Sequence, residues 1–586
     1  MRSSAPTSTP PSAAAPTFEG PTMGSSKDNS RTLAFVLMLI VTLLAEGLAL
    51  NAEFFMDDFM HIVNSETVIG NEWNPPHAFR MLPYLVYRGI YSVAGPSPFA
   101  FHCLNFLLHL GVVLSIFAVG KLLFRRLNLL GDDEARERAA LVGALIFAAH
   151  PFCTEAVNYA RCSMIQMVTL FSMLASYHVL RWLENPNARS MTAGILFITL
   201  ATVAKDPGIF HVGINVGLLC LVLADRSWIA RAKTWLRATS VPAKLGLGVL
   251  TSGALFWLAP KWIGVVSSRL STYGMEYVDH FLTQGRMLWG YLGRMILPIH
   301  LHSDHHIAVS RSAGDDPMAV TALVAVVILC ALVAIGLFRK KNRAACLLAS
   351  LVLGHLVLRF AYPIYEHFVE YRAYPSLPWV ALIGGLGFGM LYAIKQKPAI
   401  LTALGIIIIG CAASAKRSAL WSNSRMLAND SSAAYELNNR PRCNLQTIAY
   451  QSGNYEEVLT IADEIHNAYG KLIAFNQNNP QKREYDPNRA LDDLLMCEQM
   501  KTYAIAELKG SKAGIEFATE RIDHFRKNLS PGRRLSKEQE EEVENALESL
   551  LTARKILTDF GEEYDRRKQE QKRLTAQSAP PAATKK

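Results

Sequence analysis

The sequence predicts an all-α, polytopic membrane helix bundle of about eleven spans, followed by a helical soluble domain. Apolar residues make up 51% of the 586-residue chain. They cluster in runs that approach or exceed the roughly 18–20 residues needed to cross a bilayer. Arg and Lys collect in alternate connecting loops, which is typical of multi-spanning proteins. After Lys416 and Arg417 the apolar runs stop, and polar segments with helical periodicity follow.

Each predicted span follows one apolar run. The spans lie near residues 32–50, 99–122, 139–150, 163–183, 190–204, 207–224, 244–259, 318–338, 344–360, 376–394 and 398–414. The first is expected to be a retained helix rather than a signal peptide, since it lacks a small-residue cleavage pattern. Segments 80–93 and 281–297 are apolar but interrupted by arginines. They are expected to be interfacial helices, the second of them interfacial or re-entrant.

The positive-inside rule orients this bundle. Basic loops such as 339–343 are expected on the cytoplasmic side. The segments then expected outside the cytoplasm are the turn at Lys205 and residues 51–98, 150–162, 260–317 and 361–375. The formal net charge of +10 is therefore mainly a topology signal, and nucleic acid is not an expected partner.

Four regions are predicted along the chain. They are a disordered cytoplasmic tail at 1–30, a transmembrane domain at 31–417, an extracytoplasmic helical domain at 418–570 and a disordered tail at 571–586. In the third region, Gly453-Asn454-Tyr455 is typical of a tetratricopeptide helical hairpin, but no second copy follows at the period of about 34 residues. We expect a TPR-like domain without a countable array, and leave open whether Cys443 and Cys497 pair.

Polar side chains gather at the predicted outer ends of the apolar helices. The adjacent carboxylates of Asp57 and Asp58 follow the first span, where they are costly to desolvate unless they bind or react with something. The other candidates are His61, Arg80, His102, His150, Glu155, Arg161, Lys205, Asp206, Arg294, Asp304, His305, Glu370 and Arg372. Singly, each has an ordinary structural explanation, such as a snorkelling arginine or a Lys205–Asp206 ion pair. Together on one face of the membrane, they suit a reaction with a lipid-linked phosphate, because cations hold the phosphate and a carboxylate activates the acceptor.

The order of these residues along the chain resembles that in the GT-C glycosyltransferases that use polyprenyl-phosphate sugars. The resemblance is strongest to the transmembrane and tetratricopeptide-repeat family of protein O-mannosyltransferases. The matching segments are Asp57-Asp58 with His61, Arg80-Met81-Leu82, 98–109, 144–157, Lys205-Asp206-Pro207-Gly208, 291–298 and 370–376. Two departures stand out. The family's usual Lys-Glu pair is Lys205-Asp206 here, and the final domain keeps only a faint repeat signature.

The resemblance implies an inverting transfer of a sugar, with mannose favoured, to a hydroxyl acceptor expected to be a protein Ser or Thr. It implies that Asp57 or Asp58 is the catalytic base. We expect the donor phosphate to be held by Arg80, Lys205, Arg294 and Arg372. We expect the acceptor and the acids to be supported by His61, His102, His150, Glu155, Arg161, Asp206, Asp304, His305 and Glu370.

Several alternatives stay open. No cofactor is required by this scheme, but Mg²⁺ or Mn²⁺ is left open, because Asp304-His305-His306 has no diagnostic metal-ligand spacing. A flippase or transporter of polyprenyl-linked sugars and an inactive membrane scaffold are the rival functions. The expected location is a multi-pass plasma (inner) membrane protein in contact with membrane lipids, with the endoplasmic reticulum membrane as the alternative.

Overall fold

The computed structural model describes residues 24–224, 276–478, 487–529 and 547–578, with isolated residues between 264 and 270 and at 544. It leaves out 71–72, 76–77, 311–313, 315, 340, 362, 364–365 and 436 within those ranges. Every regular element among the described residues is a helix, which confirms the all-α prediction for that part of the chain. The predicted span 244–259 lies outside the described residues.

The structure describes twelve long helices in the part of the chain up to Trp421. They are α1 (Gly24–Glu46), α2 (Met81–Ala94), α3 (Pro98–Arg126), α4 (Asp133–Ala148), α5 (Ser163–Glu184), α6 (Ala188–Ala204), α7 (Gly208–Leu223), α8 (Tyr277–Ile296), α9 (Pro317–Leu337), α10 (Arg343–Val357), α11 (Leu377–Ile394) and α12 (Gln396–Trp421). Several begin at side-chain caps. Asp132 accepts from Ala135 N at 2.7 Å, and Asn187 accepts from Ser190 N at 2.9 Å.

Seven of the described helices are long and apolar enough to cross a membrane, and eight if the bent pair Asp133–Ala148 and Pro151–Asn158 is one span. The chain is therefore a multi-pass membrane protein. The predicted count of eleven is not confirmed, because α6 and α7 are apolar but short. The predicted span 139–150 instead bends by 54° after Ala148. Pro151 follows the bend, and proline cannot continue a helical hydrogen-bond ladder.

The bundle packs through small residues and a buried polar network. A Cβ at Gly385 of α11 would lie 2.2 Å from the carbonyl oxygen of Ala139 of α4, so glycine is needed for this close helix contact. Glu46, at the end of α1, accepts hydrogen bonds from Thr154 at 2.9 Å and Ser418 at 2.7 Å. These contacts tie α1 to α12 and to the short helix Thr154–Asn158, which lies between α4 and α5.

Among the described residues, six further helices follow α12 and have a hydrophobic core of their own. We call them the soluble helices, after the soluble domain that the sequence predicts here. They are α13 (Ser424–Ala434), α14 (Arg440–Gln451), α15 (Tyr455–Asn478), α16 (Pro487–Lys509), α17 (Ser511–Leu529) and α18 (Glu548–Ser578). Successive helices pack against each other, as in helical repeats, but a tetratricopeptide domain is not confirmed. Cys443 and Cys497 are both buried free thiols.

The described helices extend into both of the predicted tail segments. Helix α1 begins at Gly24, inside the tail predicted at 1–30, and α18 continues to Ser578, beyond the tail start predicted at 571. The extension of α18 has a physical reason. The residues after Phe560 are mostly Glu, Arg, Lys and Gln, which are good helix formers. Arg567 also pairs with Glu563 one turn earlier.

Candidate active site

The loop after α1 holds its two acids in a constrained backbone. Met56 has a positive φ of 45°, which is rare for a bulky residue and costs about 1 kcal/mol or more. One π-helical turn, Phe59–Val63, follows immediately. Such turns are uncommon and occur frequently at functional sites. Within this loop, Asp57 and Asp58 have different surroundings.

Asp58 is fully buried and anchors the loop. Its Oδ2 accepts from Phe55 N at 3.0 Å, and its Oδ1 accepts from Arg161 N at 2.7 Å. Burial raises the pKa of Asp58 to about 7, although these two N–H groups and the charge of Arg161 act in the opposite direction. Both carboxylate oxygens are thus engaged with backbone, which leaves little room for a direct role in proton transfer.

Asp57 is the accessible carboxylate of the pair, with 36% of its side chain exposed. It forms an ion pair with the guanidinium of Arg161. Its backbone N–H donates to the hydroxyl of Tyr159 at 3.0 Å. Asp57 is therefore held at the surface of the site by the segment between the bent pair and α5.

His61 lies behind the acids as a neutral imidazole. Its Nδ1 is 2.6 Å from the hydroxyl of Tyr84 of α2. Burial lowers the pKa of His61 to about 4, and the charge of Arg161 lowers it further. The structure thus places His61 as a support between the loop and α2.

The turn between α6 and α7 presents Lys205 and Asp206. The chain reverses so tightly that a Cβ at Gly208 would lie 1.9 Å from the carbonyl oxygen of Ala201. Asp206 does not pair with its neighbour Lys205. It accepts instead from Nε of Arg80 at 2.9 Å, so Asp206 and Arg80 neutralise each other.

Lys205 has no carboxylate partner among the described residues. Its ammonium lies 5.0 Å from the ring centroid of Tyr371. Burial lowers the pKa of Lys205 to about 7, and the charges of Arg161, Arg80 and Arg372 lower it further. An ammonium among like charges is a ready receptor for an anion.

Two more arginines, Arg372 and Arg359, belong to the same group of charges: Arg372 acts on Lys205, and Arg359 acts on Arg372. Arg372 donates from Nη2 to Glu366 Oε2 at 2.7 Å. Arg359 lies within electrostatic range of Arg372. Its buried Nε and Nη2 have no hydrogen-bond partner in the described part of the chain. We call Arg80, Arg161, Lys205, Arg359 and Arg372 the cation cluster. Three members are paired with Asp206, Asp57 and Glu366, and two, Lys205 and Arg359, lack an acidic partner among the described residues.

Arg294, which the sequence predicts as a phosphate ligand, lies elsewhere. Its guanidinium stacks 4.7 Å from the ring centroid of Phe368 and donates from Nε to the carbonyl oxygen of His300 at 3.3 Å. Its charge acts on His305 and Tyr435. Arg294 thus faces the soluble helices rather than Lys205.

Glu370 forms the centre of a second polar group. Its Oε1 is 2.9 Å from His305 Nε2, and its Oε2 is 2.8 Å from Arg417 Nη2. Glu155 lies nearby and accepts from Tyr371 N at 2.8 Å, so this carboxylate orients the segment that also bears Arg372. Burial raises the pKa of Asp304 at the edge of the group, and burial lowers that of His305.

Two of the histidines predicted for the site, His150 and His102, have structural roles. His150 Nε2 is 2.9 Å from the carbonyl oxygen of Met295, and Phe152 N donates to its Nδ1 at 3.2 Å, so His150 caps the turn after α4. His102 is fully buried in α3 beneath the backbone of Ala52 and Glu53. Neither lies among the cations. Among the described residues, no group of three or more His, Cys, Asp and Glu side chains is arranged to hold a metal ion.

Sequence reasoning missed three charged residues of the site: Arg359, Glu366 and Arg440. Arg359 falls at the end of an apolar run, where an arginine is expected to snorkel. Glu366 is four residues before the matched segment 370–376, and Arg440 belongs to the soluble helices. The sequence did offer one signal for Arg359. This arginine lies in the last turn of the predicted span 344–360 and has no acidic residue one helical turn away.

Comparison with curated proteins finds distant relatives. The chain is 28% identical to the human protein O-mannosyl-transferase TMTC4 over 250 residues, which is 36% of this chain and 34% of that protein. It is 27% identical to the mouse protein O-mannosyl-transferase TMTC4 over 256 residues, or 39% of this chain and 34% of that protein. It is 30% identical to the Drosophila melanogaster protein O-mannosyl-transferase Tmtc3 over 112 residues, or 17% of this chain and 12% of that protein.

The chain thus spans about a third of the length of the first curated relatives it matches. No family model and no solved structure matches it. These distant relatives support the predicted resemblance to protein O-mannosyl-transferases.

Proposed function

We propose that this protein is a membrane glycosyltransferase that moves a sugar, with mannose favoured, from a polyprenyl-phosphate donor to a hydroxyl of a protein acceptor. One observation carries the proposal: the accessible carboxylate of Asp57 is joined through Arg161 to the cation cluster. A carboxylate is available there to take a proton, and Lys205 and Arg359 are available to take a phosphate. The distant relatives named as protein O-mannosyl-transferases support the same chemistry.

In the proposed reaction, the acceptor hydroxyl oxygen attacks the anomeric carbon of the donor. The bond between that carbon and the phosphate oxygen breaks, and its electron pair stays on the phosphate. Asp57 takes the hydroxyl proton as the new bond forms. Attack from the side opposite the phosphate inverts the anomeric configuration.

Lys205 and Arg359, which lack an acidic partner among the described residues, suit the negative charge that develops on the donor phosphate. The donor phosphate is a singly charged diester and gains a second negative charge as it leaves. Lys205 and Arg359 meet this charge without giving up an existing carboxylate partner among the described residues. Cations already in place at the point where charge appears stabilise the transition state more than the ground state. A metal ion is then not required, and we expect EDTA to leave the transfer rate unchanged and added Mg²⁺ or Mn²⁺ not to raise it.

We propose that the site lies on the extracytoplasmic side. The positive-inside rule favours a cytoplasmic location for basic loops such as 339–343, and the alternation of the predicted spans then favours the opposite side for the Asp57 loop. The acceptor would be a Ser or Thr of an exported protein. Cysteine labelling from either side of sealed vesicles tests the orientation. Membrane fractionation separates a plasma membrane from an endoplasmic reticulum location.

Vesicle reconstitution tests the proposal against its rivals. The purified protein is given mannosyl-phosphoryl-polyprenol, radiolabelled in the sugar, and a Ser/Thr-rich peptide. We expect label on the peptide. Label that crosses the bilayer but never reaches the peptide would indicate a flippase, and neither outcome would indicate a scaffold; both contradict the proposal.

A further inference from the structure

The soluble helices rest on the loop that follows α8. His302 Nδ1 lies 2.8 Å from Asp430 Oδ2 of α13, and the hydroxyls of Ser303 and Ser431 are 2.8 Å apart. These contacts fasten the first soluble helix to the membrane part close to Glu370.

One side chain of the soluble helices reaches farther. Arg440 is the first residue of α14. Its Nη2 lies 3.3 Å from Glu366 Oε1, and its Nε lies 3.6 Å from Asp304 Oδ2. The other carboxylate oxygen of Glu366 pairs with Arg372 at 2.7 Å, and Nη1 of Arg372 also donates to the backbone carbonyl of Glu366 at 2.6 Å. Glu366 thus lies between an arginine of the soluble helices and an arginine of the cation cluster.

We propose that Arg440 is a positioning residue that fixes Arg372 through Glu366, so that the phosphate site is complete only when α14 is docked on the membrane part. This inference rests on the proposed function, since it assigns Arg372 to the donor phosphate. It gives the soluble helices a part in donor binding.

We call Arg440, Glu366 and Arg372 the relay, and the electrostatics of these three residues agree with this role. Burial would raise the pKa of Glu366, but the charges of Arg372 and Arg440 outweigh it and hold that pKa well below its usual range. Burial would lower the pKa of Arg440, but Asp304 and Glu366 raise it. All three charges of the relay therefore persist at neutral pH. Without Arg440, Glu366 would be free to turn away from the geometry that holds Arg372.

Binding of polyprenyl monophosphate to the full-length protein tests the relay, with thermal unfolding measured on the same samples. We expect R440Q to weaken binding about three- to tenfold and R440K to recover most of it, while a cooperative unfolding transition shows that both variants are folded. We expect E366Q to weaken binding at least as much, and R440Q/E366Q no more than E366Q alone, because both substitutions break one path. The matched control is R425Q, which removes an ion pair with Glu457 inside the soluble helices and should leave binding unchanged.

Two results would overturn the inference alone: normal binding in R440Q, or additive losses in the double variant. A wild-type protein that binds no polyprenyl monophosphate would overturn the proposed function, and the relay with it.

Discussion

The backbone N–H of Arg161 donates to Oδ1 of Asp58 at 2.7 Å, across 103 residues of sequence. The guanidinium of the same arginine pairs with Asp57. One residue therefore holds two adjacent carboxylates in different ways. Asp58 anchors the loop, and Asp57 stays accessible beside the cations, which gives the acids separate roles that mutation can distinguish.

The anchoring role predicts that D58N destabilises the protein. Asparagine offers one acceptor oxygen where Asp58 accepts from both Phe55 N and Arg161 N, so one buried N–H would face an amide NH₂. We expect a loss of about 1–3 kcal/mol, seen as a lower midpoint of thermal unfolding in detergent. D57N, at the accessible position, should unfold like the wild type. Equal midpoints for D58N and wild type would remove the anchoring role.

The unpaired lysine predicts a pH dependence. The pKa of Lys205 is lowered to about 7, so the free protein carries the ammonium below that pH and a neutral amine above it. A bound phosphate favours the ammonium, so donor binding above pH 7 must take up a proton. We expect kcat/KM for the donor to fall by about tenfold per pH unit above about pH 7.

K205R is the matched variant for this prediction, because arginine stays charged throughout the range. Its profile should lack the fall that begins near pH 7 in the wild type. A fall of the same steepness in K205R would assign the titration to another group.

The sequence predicts Arg294 as a ligand of the donor phosphate, whereas the structure favours Arg359. Arg359 has two buried nitrogens without a partner in the described part of the chain, whereas Arg294 donates to His300 O and stacks on Phe368. R359Q should raise the donor KM about tenfold, the effect of losing one hydrogen bond to a charged group, and leave the acceptor KM unchanged. R294Q should change the donor KM far less. A larger rise in the donor KM for R294Q than for R359Q would indicate that Arg294, and not Arg359, binds the phosphate.

The buried carboxylate beneath the loop predicts a stability effect. Glu46 accepts from Thr154, Ser418 and Asn158, so E46A would leave these polar groups buried without their partner. We expect a loss of about 2 kcal/mol or more in unfolding free energy. The control is E53Q, because Glu53 is exposed and its side chain accepts from N and Oγ of Ser424 at the protein surface. Similar unfolding midpoints for E46A and E53Q would contradict the role of the network.

The helices were predictable where the signal is local. The apolar runs near 99–122 and 318–338 correspond to α3 and α9 within a few residues, because length and apolarity alone determine a span. The bend after Ala148 was missed, because the apolar pattern continues through it.

The site was predictable only as a set of residue types. The sequence indicated that Asp57, Arg161 and Lys205 belong together, but it could not indicate which acid pairs with which base. Asp206 pairs with Arg80, 126 residues away, rather than with its neighbour Lys205. Such pairings depend on tertiary packing, and so does the positive φ of Met56 in the loop that carries the two acids.

Asp57 as the catalytic base is the central claim, and the rate of sugar transfer by D57N tests it most directly. Purified wild type, D57N and the loop control E53Q would be compared with mannosyl-phosphoryl-polyprenol and a Ser/Thr-rich peptide, after matched unfolding midpoints are established. We predict transfer by the wild type and E53Q, and a loss of at least about a hundredfold in D57N. Transfer by D57N within about threefold of the wild type would contradict the account, because a reaction that needs Asp57 as its base cannot keep that rate.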